Sequence, residues 1–217
     1  DRRIMVRLVK GAYWDTEIKL AQVESLPGFP VLAAKHHTDI NYICCAAKLL
    51  SMSSRIYPQF ATHNAHTIAA VLHIAAEQGA TDYEFQRLHG MGEALYEQVV
   101  ATQGVTCRIY APVGHHSDLL AYLVRRLLEN GANSSFVNQI FDADVPSTTV
   151  AADPFDKMGE AGPNVSAPKN IFAPQRTNSI GFDLSDPLVL ARLQAVRRSA
   201  QDWDFGDLGQ VQEVLSP

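Results

Sequence analysis

The stretch RLVKGAYW, Arg7–Trp14, is the part of the sequence from which the fold can be inferred. It continues an apolar run that is typical of a buried strand, and it then places a lysine, a glycine and two aromatic residues where that strand ends. The same form recurs in FATHN at 60–64, RLHGMG at 87–92 and YAPVGHH at 110–116. A helical pattern follows each of the four stretches, so strand and helix alternate along the chain.

This alternation predicts a parallel sheet that is covered by helices. The predicted strands are 4–9, 55–61, 83–88 and 107–113, and the predicted helices are 16–23, 39–51, 64–78, 93–102 and 117–130. A doubly wound domain and half of an eight-stranded α/β barrel both fit this order. No G-x-G-x-x-G motif opens a helix, which weakens the doubly wound alternative. The polar clusters follow the carboxyl ends of strands, where α/β barrels assemble their sites, so we expect the second half of a barrel with its first half upstream of Asp1.

The composition changes after about residue 142. The following stretch is rich in Pro, Ala and Ser and has no sustained period, which predicts a linker. Residues 187–199, PLVLARLQAVRRS, form a helical pattern with a proline in the first position. We therefore expect a barrel half over 1–142 and an extended region over 143–217.

Composition limits the kinds of partner and compartment. The 217 residues carry a net charge of −5 and no basic stripe, so nucleic acid is not expected as a partner. Three cysteines without metal-site or disulfide-framework spacing are typical of a reducing compartment, and we expect a cytoplasmic protein. No apolar run reaches transmembrane length and no signal peptide is evident. Because the first element already has the pattern of an interior strand, we expect the chain to be a piece of a larger protein.

The predicted helix SDLLAYLVRRLLENG carries a polar flank. Tyr122, Arg125, Arg126 and Glu129 follow one another at i, i+3, i+4 and i+7, so they share one side of the helix. A solvated face with an Arg125–Glu129 ion pair is one interpretation. The other is a receptor for a carboxylate, since planar guanidinium groups bind both oxygens of such an anion at once.

Two further clusters suit a cofactor with a ring and phosphates. Residues 62–64, Thr-His-Asn, end a strand and open a helix, and a helix N-terminus favours an anion. Arg7 is an inward cation on its strand, Gly11 lets a ligand approach the backbone, and the aromatic residues at 13–14 offer flat surfaces. His63 has His66 at i+3 but no third ligand in reach, so no metal site is predicted. A ring-and-phosphate cofactor together with a small carboxylate substrate is the resulting hypothesis.

Taken as a set, these motifs resemble a known family. The stretches are RLVKGAYWD, YPQFATHNAHT, YEFQRLHGMGE, RIYAPVG and LLAYLVRRLLENGANSSFV. In order and spacing they resemble the C-terminal half of the proline dehydrogenase domain of bifunctional proline utilization A (PutA) proteins, over about residues 3–138. The later stretch NIFAPQRTNSIGFDLSDP, 170–187, resembles the run into the aldehyde dehydrogenase-like domain of these proteins, so 143–217 would hold the linker and the start of that region.

The resemblance implies a distorted (β/α)8 TIM-type barrel with non-covalent FAD. It implies oxidation of L-proline to Δ1-pyrroline-5-carboxylate, with electrons passed to a quinone and hence peripheral contact with the inner face of a membrane. A bifunctional enzyme of this kind would oxidise the product on to glutamate with NAD, bound in a domain outside this chain. It would also be a homo-oligomer.

The resemblance also implies roles for individual residues. Arg7, beside the reactive nitrogen of the flavin, and Tyr13 would be catalytic. The cofactor-binding residues would be Arg7, Lys10, Gly11, Ala12, Trp14, Thr62, His63, Asn64, Glu129, Ser135 and Phe136. The substrate-binding residues would be Arg125, Arg126, Tyr13, Leu88, Tyr110 and Tyr122, with the two arginines on the proline carboxylate. An active-site lysine, an aspartate and a glutamine would lie upstream.

Two alternatives remain open. Another flavin barrel, such as a methylenetetrahydrofolate reductase-like protein, would have no use for the Arg125–Arg126 pair. A non-catalytic binding module on a barrel scaffold is the other. A flavin spectrum that bleaches when L-proline is added would separate the dehydrogenase from both.

Overall fold

The computed structural model describes residues 2–10, 13–131, 144–160, 162 and 165–199. The chain divides into a larger unit, residues 1–15 with 31–165, and a smaller unit, residues 16–30 with 166–217. Among the described residues, no helix is both long enough and apolar enough to cross a membrane. The predicted boundary between 142 and 143 lies outside the described residues and stays a prediction.

The larger unit is built on a four-stranded parallel sheet. Its strands are β1 (Ile4–Leu8), β2 (Ile56–Ala61), β3 (Glu84–Leu88) and β4 (Thr106–Tyr110), and they lie in the order β1-β2-β3-β4. The prediction of a parallel α/β sheet is confirmed. The predicted fourth strand was too long at its end, because Pro112 has no N–H with which to continue a ladder.

The helices lie between and after the strands. They are α1 (Trp14–Val23), α2 (Lys35–Leu50), α3 (Ala65–Gln78), α4 (Glu93–Gln103), α5 (His116–Gly131), α6 (Ser147–Val150) and α7 (Pro187–Ser199). Short 3₁₀ turns occupy Pro154–Lys157 and Pro168–Asn170. The predicted helices are present, and α2 begins four residues before its predicted start because its first turn, KHHT, has no apolar residue to mark it.

The core lies between the sheet and the helices that cover it. Phe60 and Phe85 are fully buried there, and their rings pack with those of Tyr83 and Tyr96 at centroid distances of about 6 Å. Because side chains alternate along a strand, burying these two phenylalanines directs their neighbours to the other side of the sheet. That inner face is polar: it carries Glu84, which accepts hydrogen bonds from Gln59, Gln86 and Arg108.

The inner face is concave. Arg7 is on β1 and Tyr110 is on β4, the two edge strands, yet the Arg7 guanidinium lies 4.2 Å from the Tyr110 ring centroid. The strand register connects Arg7 through Gln59 and Glu84 to Thr106, so Tyr110 lies four residues further along β4 than that register position. A flat sheet would separate the edge strands by about 14 Å. Curvature combined with strand tilt is the geometry of a barrel wall, although the four described strands do not close on themselves.

In the smaller unit, the predicted linker is fixed to the end of α1. The Asn178 amide donates to Ser25 Oγ at 2.6 Å, and Gly181 N donates to the Ser25 carbonyl at 2.8 Å. A side chain at Gly181 would clash with the Glu24 carbonyl oxygen. Glycine is therefore required where this segment crosses the helix end.

Candidate active site

Arg7 and Tyr110 meet at the carboxyl ends of the strands. Their contact, a guanidinium over an aromatic face, is favourable because the ring face carries negative charge density. Burial raises the pKa of the Tyr110 hydroxyl, and the Arg7 charge opposes this rise. Leu88 lies in register beside Tyr110 and is almost completely buried. The structure thus brings together three of the predicted site residues, Arg7, Leu88 and Tyr110, on one face.

Lys10 follows β1 and forms a buried ion cluster with α2. Its Nζ lies 2.6 Å from Asp39 Oδ1 and 3.1 Å from Thr67 Oγ1, and it sits over the Tyr42 ring at 4.9 Å. Asp39 Oδ2 accepts a second bond from Lys35 at 2.6 Å. Burial lowers the pKa of Lys10, against the opposing effect of Asp39. The two lysines hold the pKa of Asp39 below its usual value in spite of its burial. The ammonium group of Lys10, a residue predicted to bind the cofactor, is therefore bound by Asp39 and Thr67.

The residues at 62–64 form the junction between β2 and α3. Asn64 is the N-cap of α3, with its side-chain oxygen accepting from Thr67 N at 3.0 Å. Thr62 Oγ1 accepts from Asn64 N at 3.2 Å, and the Thr62 carbonyl accepts from the Tyr96 hydroxyl at 2.8 Å. The predicted helix start after a strand is thus confirmed. Its amide groups and dipole create a region that favours anions.

His63 is held as a neutral acceptor. Its Nε2 accepts a hydrogen bond from Leu88 N at 3.0 Å, so its proton is on Nδ1. Burial, together with the smaller effect of the Arg87 and Arg126 charges, lowers the pKa of His63 to about 4. This bond ties the end of β2 to the end of β3.

Helix α5 brings a second arginine to this end of the sheet. The Arg126 guanidinium lies 5.2 Å from the Tyr122 ring centroid, so these two residues share a flank as their spacing predicts. The side chains of Arg125 and Glu129 lie outside what the structure describes.

The remaining predicted residues have varied positions. Tyr13 is 55% exposed, and Trp14 Nε1 donates to the Leu32 carbonyl at 2.9 Å. Gly11, Ala12, Ser135 and Phe136 lie outside the described residues. Their roles stay predictions.

Sequence reasoning missed a polar network below the Arg7–Tyr110 contact. Glu84 is 1% exposed, and its carboxylate accepts from Gln59 at 2.8 Å, from Gln86 at 2.7 Å and from two Arg108 nitrogens at 2.7 and 2.8 Å. The Tyr57 hydroxyl adds a longer bond at 3.3 Å. The Arg108 bonds lower the pKa of Glu84 to about 2, with Gln86 and Gln59 contributing. A glutamate and a glutamine at alternate positions of the otherwise buried strand YEFQRL were the signal that could have revealed it.

The site combines cations, aromatic faces, a helix N-terminus and the anchored amide of Gln86. Guanidinium groups and helix amides bind anions, while the rings and Leu88 offer apolar walls. The arrangement suits a ligand that has both a flat ring and negative charge.

Comparisons with known proteins agree with this description. The family described as proline dehydrogenase matches residues 1–139. The bifunctional protein PutA of Salmonella typhimurium is 52% identical over the whole of this chain, which covers 18% of that protein, and PutA of Escherichia coli K12 is 50% identical with the same coverage. Proline dehydrogenase 1 of Bacillus subtilis is 32% identical over 63% of this chain and 41% of its own length.

Solved structures give the same result. A mutant of Bradyrhizobium japonicum PutA superposes with a TM-score of 0.84 at 55% identity, over 89% of this chain and 20% of that one. PutA of Bdellovibrio bacteriovorus, inactivated by N-propargylglycine, superposes with a TM-score of 0.76 at 34% identity, over 91% and 20%. The chain thus spans about a fifth of the length of the PutA proteins that it matches.

Proposed function

The chain belongs to the proline dehydrogenase family, and from this premise we propose that it supplies the C-terminal half of the flavin-binding barrel of an enzyme that oxidises L-proline to Δ1-pyrroline-5-carboxylate. The observation that carries the proposal is the meeting of Arg7 and Tyr110 on the concave face, at the end of the strands where barrels assemble their sites. The 50–52% identity to PutA proteins along the whole chain supports a bifunctional parent protein.

The described residues fit FAD. The α3 N-terminus, with residues 62–64, suits the phosphates, because helix amides and dipole both favour negative charge there. FAD, when bound, accepts the hydride that L-proline loses from the ring carbon next to its nitrogen. Arg7 is placed to stabilise negative charge that develops in the site. The proposed cofactor contacts are completed after β1 by Lys10, residues 11–12 and Trp14, and at and beyond α5 by Glu129, Ser135 and Phe136.

Substrate recognition falls to α5 and the strand ends. Arg126, together with Arg125, would bind the proline carboxylate, since a pair of guanidinium groups matches its two oxygens. The apolar surfaces of Leu88, Tyr110 and Tyr122 would enclose the ring and exclude both water and larger amino acids. Tyr13, which is exposed, would also contact the substrate.

The rest of the proposed reaction sequence lies beyond this chain. Electrons would pass to a quinone, which requires the cytoplasmic protein to contact the inner face of a membrane. An NAD-dependent domain would oxidise the product to glutamate, and the parent protein would be a homo-oligomer. The PutA relatives are bifunctional proteins, which supports the second activity.

Anaerobic reduction of the full-length protein by L-proline tests the proposal. The flavin absorbance of the wild type should bleach, and a colourless protein or an unchanged spectrum would refute the proposal. In Arg7→Met, FAD should remain bound while its reduction slows by roughly 100-fold, the scale for loss of one stabilising donor. Arg3→Met is a matched control, because Arg3 also lies against an aromatic ring, that of Tyr57 at 5.7 Å, at the opposite end of the sheet. The flavin of Arg3→Met should be reduced by L-proline at the wild-type rate.

A further inference from the structure

The Glu84 carboxylate fixes the orientation of two amide groups. An ionised carboxylate can only accept hydrogen bonds, so each glutamine bound to it must present its NH₂ group. Gln59 Nε2 and Gln86 Nε2 both donate to Glu84 Oε1, at 2.8 and 2.7 Å. The side-chain oxygens of both glutamines are thereby turned away from Glu84. Neither oxygen accepts a hydrogen bond from a residue in the described part of the chain.

Gln86 occupies the level of the sheet at which Arg7 and Tyr110 meet. From Arg7 on β1 to Tyr110 on β4, the contact moves four residues toward the carboxyl end of the sheet while it crosses three strand-to-strand steps. A line drawn from Arg7 with this slope passes Ala61 on β2 and Gln86 on β3. Ala61 has no polar side chain, so Gln86 supplies the polar group between the arginine and the tyrosine. Gln59 lies one inner-face position further from the carboxyl end of the sheet.

Gln86 is also rigid. It is 4% exposed, and its partner Glu84 is held by the two Arg108 bonds and by Tyr57 as well. An amide anchored in this way cannot reverse without placing its oxygen against a carboxylate. The group presented to a ligand is therefore a hydrogen-bond acceptor and not a donor.

We propose that Glu84 is a positioning residue and that Gln86 Oε1 accepts a hydrogen bond from an N–H group of the bound ligand. The inference rests on the proposed function, which offers two sources of such a group. The ring nitrogen of proline is a cationic N–H donor, and the pyrimidine ring of the flavin carries one N–H.

The test uses the full-length, FAD-loaded protein with Gln86→Met, which keeps the length of the side chain and removes the acceptor. We would measure the affinities of the protein for L-proline and for tetrahydrofuran-2-carboxylate, in which oxygen replaces the ring N–H. The flavin is reduced beforehand, so that the protein cannot oxidise L-proline during the measurement. The absorption spectrum and midpoint potential are measured without ligand. If proline is the donor, its affinity should fall by roughly 10- to 100-fold, the scale for a hydrogen bond to a charged group, while the oxygen analogue is unaffected. If the flavin is the donor, the spectrum and potential should shift and both ligands should change equally.

Gln59→Met is the matched control, because it also removes one bond to Glu84 but lies below the level of the site. It should behave like the wild type. Glu84→Gln tests the positioning role without loss of side-chain volume, because it removes the anion that orients Gln86. Whichever property changes in Gln86→Met, L-proline affinity or the flavin spectrum and potential, should change in the same direction in Glu84→Gln. If Gln86→Met does not fold, Glu84→Gln alone tests the inference. Wild-type selectivity and spectra in both the Gln86 and Glu84 variants would overturn the inference, as would equal effects of Gln59→Met and Gln86→Met. A wild-type protein that L-proline does not reduce would refute the proposed function instead.

Discussion

Asp39→Asn is expected to destabilise the protein more than removal of its partner Lys10. The Asp39 side chain is 12% exposed and binds two lysines, each at 2.6 Å. With asparagine in its place, the Lys10 ammonium, 19% exposed, loses its anionic partner and keeps, among the described residues, only neutral ones: the Asn amide oxygen, the Thr67 hydroxyl and the Tyr42 ring. Breaking a buried pair in this way costs about 3–5 kcal/mol, because an uncompensated charge is left behind.

The converse substitution should cost less. In Lys10→Met, Asp39 keeps Lys35, whose side chain is 45% exposed and can follow the carboxylate. We expect a loss of about 1.5–3 kcal/mol, the scale for hydrogen bonds to a charged group, because Asp39 retains a cationic partner. The double variant should be more stable than Asp39→Asn alone, since it contains no stranded cation. Lys35→Met should cost about 0.5 kcal/mol, as for other exposed i, i+4 pairs.

Urea unfolding of the full-length protein, followed through the fluorescence of released flavin, measures all four variants under identical conditions. The expected order of stability is Lys35→Met, then Lys10→Met, then the double variant, then Asp39→Asn. Equal costs for the Lys10 and Asp39 variants, or a double variant whose cost equals their sum, would refute the reasoning. Either result would mean that Lys10 is not held as a buried cation by Asp39.

Three further expectations concern the site itself. Arg126→Lys should weaken the apparent affinity for L-proline by about 2–4 kcal/mol. The affinity for pyrrolidine, which has no carboxylate, should differ far less between this variant and the wild type. Equal losses on both substrates would show that Arg126 does not bind the carboxylate. Gly92→Ala should destabilise by more than about 1 kcal/mol in urea unfolding, since Gly92 has φ +65° and a Cβ would lie 3.2 Å from the His63 ring; Gly104→Ala, with φ +64° and nothing within 4 Å, should cost less. The pKa of His63 in the folded protein, about 4, lies below its ordinary value of 6.5. Between these pH values the unfolded chain therefore binds a proton at His63 and the folded protein does not. The free energy of unfolding should fall as the pH drops from 6.5 to 4. His63→Gln should give a flatter stability profile in that window, and an unchanged slope would contradict the assignment.

Local pattern was sufficient to predict the sheet and the helices. Strand β3 and the helix after it are visible in YEFQRLHGMGE because period and turn residues agree there. The start of α2 was placed too late, since its first turn contains only polar residues. The partnership of Lys10 with Asp39 was missed as well, because it joins a strand end to a helix whose start was misplaced and it follows no sequence spacing.

The site was predictable only in part. Capping at Asn64 follows from residue type and position, and the Tyr122–Arg126 flank follows from helical spacing. The contact between Arg7 and Tyr110 could not be predicted in this way, because it joins two strands that are not neighbours and depends on the curvature of the sheet. The polar residues in the buried strand β3 indicate the Glu84 network. Its partners on β2 and β4 could not be predicted, because they depend on the strand register.

The order of the strands in the sheet has a consequence for synthesis on the ribosome. Because spatial order follows chain order, β2, β3 and β4 each pair with the described strand made just before them. The intervals differ: Ile4 pairs with Ile56, whereas Gln59 pairs with Glu84 and Glu84 with Thr106. At translation rates of about 5–20 residues per second, β1 waits roughly 3–10 s for its partner, about twice as long as the later strands. Among the four described strands, β1, with the sequence IMVRL, therefore waits longest for the neighbour that is made after it, and α1 and α2 are the elements made during that interval.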